Sequence, residues 1–159
     1  LYLTANGVIQ GMRPLLSYNY GAGEHVRVRS IFKDALIIVF LILLGGMLLC
    51  LTIPGQLMGL FSDNPDTIRS GALALRIISA GFMTSSLSVT ASGALEALGK
   101  GLSSLVISLC RYAVLIIPIA FIASHILGAV GVWHAFWIAE ALTAVLAVLI
   151  FGHTLKQTE

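Results

Sequence analysis

The clearest apolar run, ALIIVFLILLGGMLLCLTI from Ala35 to Ile53, carries no charged side chain. About 20 apolar residues in a helix, each rising 1.5 Å, cross a hydrocarbon core of about 30 Å. Pro54-Gly55 then breaks the helix. A new start follows at Asp63, Asn64, Pro65 and Asp66, a capping side chain with proline in the first turn behind it. The helix predicted from there covers 65–98, longer than a bilayer needs. GKGLSS separates it from a helix over 102–126 in which Pro118 predicts a kink. HILGAVG turns the chain into a last helix over 132–152. With an opening helix over 1–20 and the apolar run taken as 33–53, the pattern gives five helical segments.

Inside 65–98 the apolar side chains become small. Gly81, Ser85, Ser88 and Ser92 recur at spacings of four, three and four, which puts them on one helical face. Such a stripe lets membrane helices approach closely. The other use that fits is to line a wet pathway.

Composition settles the solvent. The chain has 159 residues, 58% hydrophobic and 10% charged. A soluble domain carries about 25% charged residues, so a polytopic transmembrane helical bundle of the all-α class is expected, with about four full crossings plus the end of a fifth. The net charge of +2 gives no reason to expect nucleic acid as a partner. Cys50 and Cys110 sit in apolar runs near opposite faces and are expected to remain unbridged. The four histidines, His25, His125, His134 and His153, are scattered, so no metal site is expected. There is no phosphate loop and no G-x-S-x-G, hence no catalytic residues, no enzyme activity and no cofactor are expected. Residue 1 is Leu, with no basic leader behind it, and the sequence reads as a piece of a longer chain ending in the polar GHTLKQTE. Arg27, Arg29 and Lys33 crowd one connection, and SHILGAVG has no Lys or Arg. The positive-inside rule then places residues 21–33 and the carboxyl terminus in the cytoplasm.

Ionisable groups at membrane depth cost several kcal/mol unless they find water or a partner. Arg76, Glu96, Arg111 and Glu140 are the candidates. Arg76 and Glu140 both fall roughly 13 Å from the outer face, and Arg111 is long enough to reach Glu140 from the other side. Glu140 is either half of a structural ion pair or a proton- or cation-binding carboxylate. Glu96, four residues before Lys100, reads as an ordinary helical pair. Gln10 and Asn6, one turn apart, either line a central cavity or bond a neighbouring helix.

The opening QGMRPLLSYNYGAGEHVRVR remains. Pro14 removes a helical donor, Gly21 and Gly23 permit positive φ, and Tyr18 and Tyr20 suit the headgroup level. This stretch, ALEALGKGLSSLVISLCRYAVLIIP and GAVGVWHAFWIAEALT occur in that order. Together they resemble the multidrug and toxic compound extrusion (MATE) transporters. Gly99, Lys100, Arg111 and Pro118 match in the second stretch, and Gly131, Trp133 and Glu140 in the third. The resemblance implies a twelve-helix, two-lobe transporter. Residues 1–159 would form the carboxyl-terminal part of its second six-helix lobe, from the end of helix eight to helix twelve.

It further implies an antiporter that exports drugs, organic cations or metabolites by alternating access, coupled to H⁺ or Na⁺, in the plasma membrane, the inner membrane of a bacterium. Its partners would be the remaining amino-terminal helices, the lipid bilayer and a small organic substrate. This stretch alone is not expected to transport. Glu140, Arg76, Arg111 and Gln10 are the transport and coupling candidates. Pro14, Tyr18, Asn19, Gly21, Gly23 and Arg27 form the candidate cytoplasmic hinge, whose other reading is purely architectural. The family's cation sites usually draw carboxylates from helices one, seven and ten. The middle of helix ten has none here before Glu96, which points to coupling through the other half. A flippase of lipid-linked sugars and a non-transporting membrane scaffold are the alternatives.

Overall fold

The computed structural model describes residues 2–156, with side chains as far as Thr154. Helix α1 (Tyr2–Gly21) opens the chain and α2 (His25–Thr52) returns beside it. A one-turn α3 (Pro54–Gly59) leads to α4 (Pro65–Ser79) and α5 (Phe82–Ala97). Helix α6 (Gly101–Leu109) runs through a π-helical segment (Cys110–Ile116) into α7 (Ile117–Leu127), and α8 (Ala129–Lys156) ends the bundle. No strand occurs among the described residues. Among the described residues, three stretches are long and apolar enough to cross a membrane: α2, Gly101–Leu127 and α8. There are four if the bent α4–α5 pair counts as one span. Residues 157–159, on which part of the cytoplasmic carboxyl terminus was expected, lie outside the described residues.

The opening stretch resolves into a helix stop. Glu24 N–H donates to the Asn19 carbonyl at 2.9 Å and Gly23 N–H to that of Tyr20 at 3.1 Å. Gly23 sits between them at φ 74°. This is the Schellman arrangement, in which a residue in the left-handed region closes the last helical carbonyls. Gly21 was expected to share that conformation, but it is the last residue of α1. The expected loop over 21–33 therefore shrinks to Ala22–Glu24, and Arg27 and Lys33 ride on α2, which begins at His25 rather than at 33. The same motif recurs at Gly99 (φ 74°), where Lys100 N–H reaches the Leu95 carbonyl at 2.8 Å.

The helix expected over 65–98 is two helices bent by 56° between Ser79 and Phe82. The cause is local. Ala80 and Gly81 donate to carbonyls only three residues back. Ser79 Oγ bonds the Arg76 carbonyl at 2.9 Å, while Thr84 Oγ1 and Ser85 Oγ both bond that of Gly81, at 2.9 and 2.8 Å. Hydroxyls that bond back onto the ladder beside a glycine bend helices. The last helix likewise starts earlier than expected, at Ala129 instead of 132, directly after Gly128.

Helix α5 is the hub, packed against α1, α2, α6 and α8. Helix α1 buries Ala5, Ile9, Met12, Leu16 and Asn19, spacings of four and three that form one seam. Helix α8 answers α5 with a small-residue face, Ala135, Ala139, Thr143 and Ala147, each fully buried. Gly81 sits against this helix: a Cβ there would lie 3.0 Å from Trp137 Cα. Lipid tails are as apolar as the core, so close packing holds these helices together rather than hydrophobic burial. The outward leucines and isoleucines of α2, α6 and α7 stay exposed, as a bilayer solvent permits.

Asn64 caps α4, its Oδ1 accepting from Asp66 N–H at 2.9 Å and Thr67 N–H at 3.4 Å. Asn64→Ala is expected to cost about 1 kcal/mol of stability, read as a small fall in the thermal midpoint of the detergent-solubilised protein.

Candidate functional site

Four elements bring polar side chains to one place. Helix α5 supplies Ser85 and Ser88, the π segment Arg111, α8 Glu140 and α1 Tyr2 and Asn6. Arg111 Nη2 donates to Ser88 Oγ at 2.8 Å, and that hydroxyl lies 3.2 Å from both Glu140 Oε2 and the Ser85 carbonyl. Arg111 Nε stands 3.8 Å from Glu140 Oε1, and the two side chains are only 9% and 13% exposed. The guanidinium also lies 5.8 Å from the Tyr112 ring centre. Tyr2 donates to Ser85 Oγ at 2.8 Å. Beside this network opens a cavity of about 440 Å³, walled by Tyr2, Asn6, Phe82, Arg111, Phe136 and Glu140 among others. Its scale suits a small ligand.

The π segment explains how Arg111 arrives there. Pro118 has no N–H, and its ring crowds the carbonyl one turn back. The widened turns of Cys110–Ile116 immediately before it absorb the misfit, and such segments re-aim side chains within a helix. The expected kink near Pro118 thus takes the form of a π-helical stretch.

A second ion pair lies nearer the α5–α6 turn. Arg13 of α1 pairs with Glu96 of α5. Ser104 Oγ donates to Glu96 at 2.8 Å, and Arg13 Nη1 donates to Gln10 Oε1 at 3.3 Å. The expected Glu96–Lys100 pair does not form, because α5 ends at Ala97 and the Gly99 turn carries Lys100 off that helical face.

Of the expected coupling residues, Arg111 and Glu140 meet. Arg76 does not join them: it is exposed and lines a different cavity, of about 560 Å³, with Arg69 and the α2–α3 junction at Thr52–Gln56. The bend at Gly81 aims α4 away from the direction a straight helix would give it. Gln10 is exposed and bonded within its own helix. Among the candidate hinge residues, Asn19 is buried and bonds the Leu15 carbonyl at 2.8 Å, while Pro14, Tyr18, Gly23 and Arg27 are exposed. The residue that sequence reasoning passed over is Arg13, whose spacing of three from Gln10 was the available signal.

A bundle of helices long and apolar enough to cross a bilayer, with its leucines and isoleucines facing outward, defines an integral membrane protein of the all-α class. The MatE family model matches residues 1–122, and the chain belongs to that family. It is 28% identical over 144 residues to the multidrug export protein MepA of Staphylococcus aureus, covering 91% of this chain and 32% of the relative. The MepA of Staphylococcus saprophyticus is 26% identical over the same length. Among solved structures, the MATE multidrug transporter DinF-BH is 30% identical, with a TM-score of 0.85 over 94% of this chain and 33% of that one. A MOP superfamily transporter from Pyrococcus furiosus shares the fold, with a TM-score of 0.91 at 21% identity over 97% of this chain and 35% of that one. The chain spans about a third of the length of the relatives it matches.

Proposed function

We propose that the chain is part of a drug-exporting antiporter, driven by H⁺ or Na⁺ and working by alternating access between two lobes. The observation that carries this is the match, over nearly the whole chain, to relatives named as multidrug exporters, together with a ligand-sized cavity beside the membrane-embedded network. The substrate class that follows is small organic cations and similar xenobiotics. The partners are the remaining helices of the transporter and the bilayer around it. The site would be the plasma membrane, a bacterial inner membrane, with the Ala22–Glu24 turn and the carboxyl terminus in the cytoplasm. Pro14, Tyr18, Asn19, Gly21, Gly23 and Arg27 would form the cytoplasmic pivot around that turn.

Within this reading the Arg111–Ser88–Glu140 network holds three elements in register, and coupling falls to carboxylates elsewhere in the protein. What supports this is the company Glu140 keeps: a buried cation and a hydroxyl already occupy it. The test is efflux of a fluorescent organic cation from proteoliposomes under an imposed pH or Na⁺ gradient, with Glu140→Gln beside the native protein. Gradient-driven efflux is expected, and the folded fraction of the variant is expected to retain it. Efflux lost in a folded variant would move Glu140 into the coupling step. No efflux under any gradient would remove the exporter reading.

A further inference from the structure

Arg69 and Arg76 lie seven residues apart on α4, two turns along one face. Both are exposed, and both line the cavity of about 560 Å³ where α2 ends and α3 begins. Arg13 and Arg111 each have a carboxylate. Arg69 and Arg76 instead bring two positive charges to one place, and no carboxylate stands in the cavity wall. Neither guanidinium has an ion pair or hydrogen bond among the described residues. The rest of the wall has two characters. Thr52 and Gln56 are polar, whereas Ile53, Pro54, Ala72 and Leu73 are apolar. Leu73, 45% exposed, lies between the two arginines on their own face of α4.

We propose that this cavity binds the headgroup phosphate of an anionic phospholipid, with both guanidiniums on the phosphate and the apolar wall against the start of an acyl chain. The lining selects the ligand. Guanidinium groups can only donate, keep their charge, and present a planar fork that matches a phosphate. Their backbones stand about 10 Å apart along the helix axis, and two long side chains converging on the same cavity can hold one phosphate between them. Gln56 adds a further donor. A free phosphate shares this chemistry but has no use for the apolar wall. The setting favours the lipid as well. The cavity opens at the end of α2 opposite the Ala22–Glu24 turn, and the nearby α3–α4 turn leaves Leu60 and Phe61 79% and 84% exposed. Large apolar side chains beside arginines suit the boundary between headgroups and acyl chains, where a long cationic arm reaches up to the phosphates. This inference concerns the lipid around the lobe and holds whatever the protein exports.

Native mass spectrometry of the intact transporter, titrated in detergent with phosphatidylglycerol or phosphatidylcholine, counts the lipids it holds. Arg69→Gln combined with Arg76→Gln is expected to lose one bound phosphatidylglycerol, through binding weakened about thirtyfold at that site, and to hold phosphatidylcholine as the native protein does. Arg69→Lys combined with Arg76→Lys keeps the charge without the fork, so an intermediate affinity is expected; this pair decides the matter if the glutamine pair does not fold. Soluble glycerol phosphate is expected not to displace the lipid. Displacement at concentrations comparable to the lipid's would show that a free phosphate suffices, and the lipid assignment would fall. Equal phosphatidylglycerol counts in native and glutamine variants would overturn the site altogether. So would a glutamine variant that is destabilised in lipid-free detergent while phosphatidylglycerol adds nothing to the native protein, because the two arginines would then be held by a carboxylate of the remaining helices.

Discussion

Glu140→Ala is expected to lower stability by about 3 kcal/mol or more, while Arg111→Met combined with Glu140→Leu is expected to recover most of that loss. The asymmetry comes from burial. Removing one partner of a buried pair leaves the other charge uncompensated, at about 3–5 kcal/mol, whereas an apolar pair of similar volume is often neutral. The 3.8 Å separation of Nε from Oε1 and the hydroxyl between the two groups place this pair at the lower end of that range. Ser88 does not become an orphan in the double variant, because its hydroxyl still has the Ser85 carbonyl at 3.2 Å. Arg111→Met alone is the mirror case, since it strands a carboxylate that keeps the Ser88 hydroxyl but loses its cation. Apparent unfolding free energies of the four proteins in detergent, taken as a double-mutant cycle, measure the coupling. Additive single effects would show that the two charges are held by other partners. The double variant also separates packing from transport: if it folds and still exports, the network is a clamp.

How much of this was legible beforehand divides along a physical line. Apolar runs, the Asn64-Pro65 start and the Pro54-Gly55 stop are local signals, and the helices they imply are present. The meeting of Arg111 with Glu140 is within reach of depth arithmetic, since both lie inside the bilayer with arms long enough to touch. The distinction between Arg76 and Arg111 as the partner is not. It depends on a 56° bend made by side-chain hydroxyls returning to their own backbone, and in the sequence Gly81, Ser85 and Ser88 show only as a stripe of small residues on a continuous helix. The stripe serves both of the uses that fit it. Gly81 touches Trp137 and packs, while Ser85 and Ser88 bond Tyr2 and Arg111 beside a cavity. Spacing offers the Arg13–Gln10 contact one turn apart, but the pairing of Arg13 with Glu96 is invisible to such rules, because the two lie 83 residues apart (13 to 96) on different helices.

Gly131→Ala is expected to destabilise the protein by about 1–3 kcal/mol, the usual cost of forcing a methyl into a packed interface, and Gly131→Val by more. A Cβ at Gly131 would overlap the carbonyl of Ala123 in α7. The obstacle is main chain, which cannot rotate aside as a side chain can, so α7 and α8 must separate where they turn at Gly128. That contact matters because α7 buries none of its residues, and α8 is the element it packs against most closely in the bundle. Loosening it frees the half of the span that follows the π segment and, through that segment, the seat of Arg111. Gly152→Ala is the control. It lies in the same helix with nothing within 4 Å of the added carbon, and alanine is favoured over glycine in a helix by about 1 kcal/mol. The two variants should therefore shift the thermal midpoint in opposite directions, and hydrogen exchange should rise over α7 in Gly131→Ala alone. If both variants behave alike, the close approach of α7 to α8 at Gly131 is wrong, and with it the account of what holds the π segment in place.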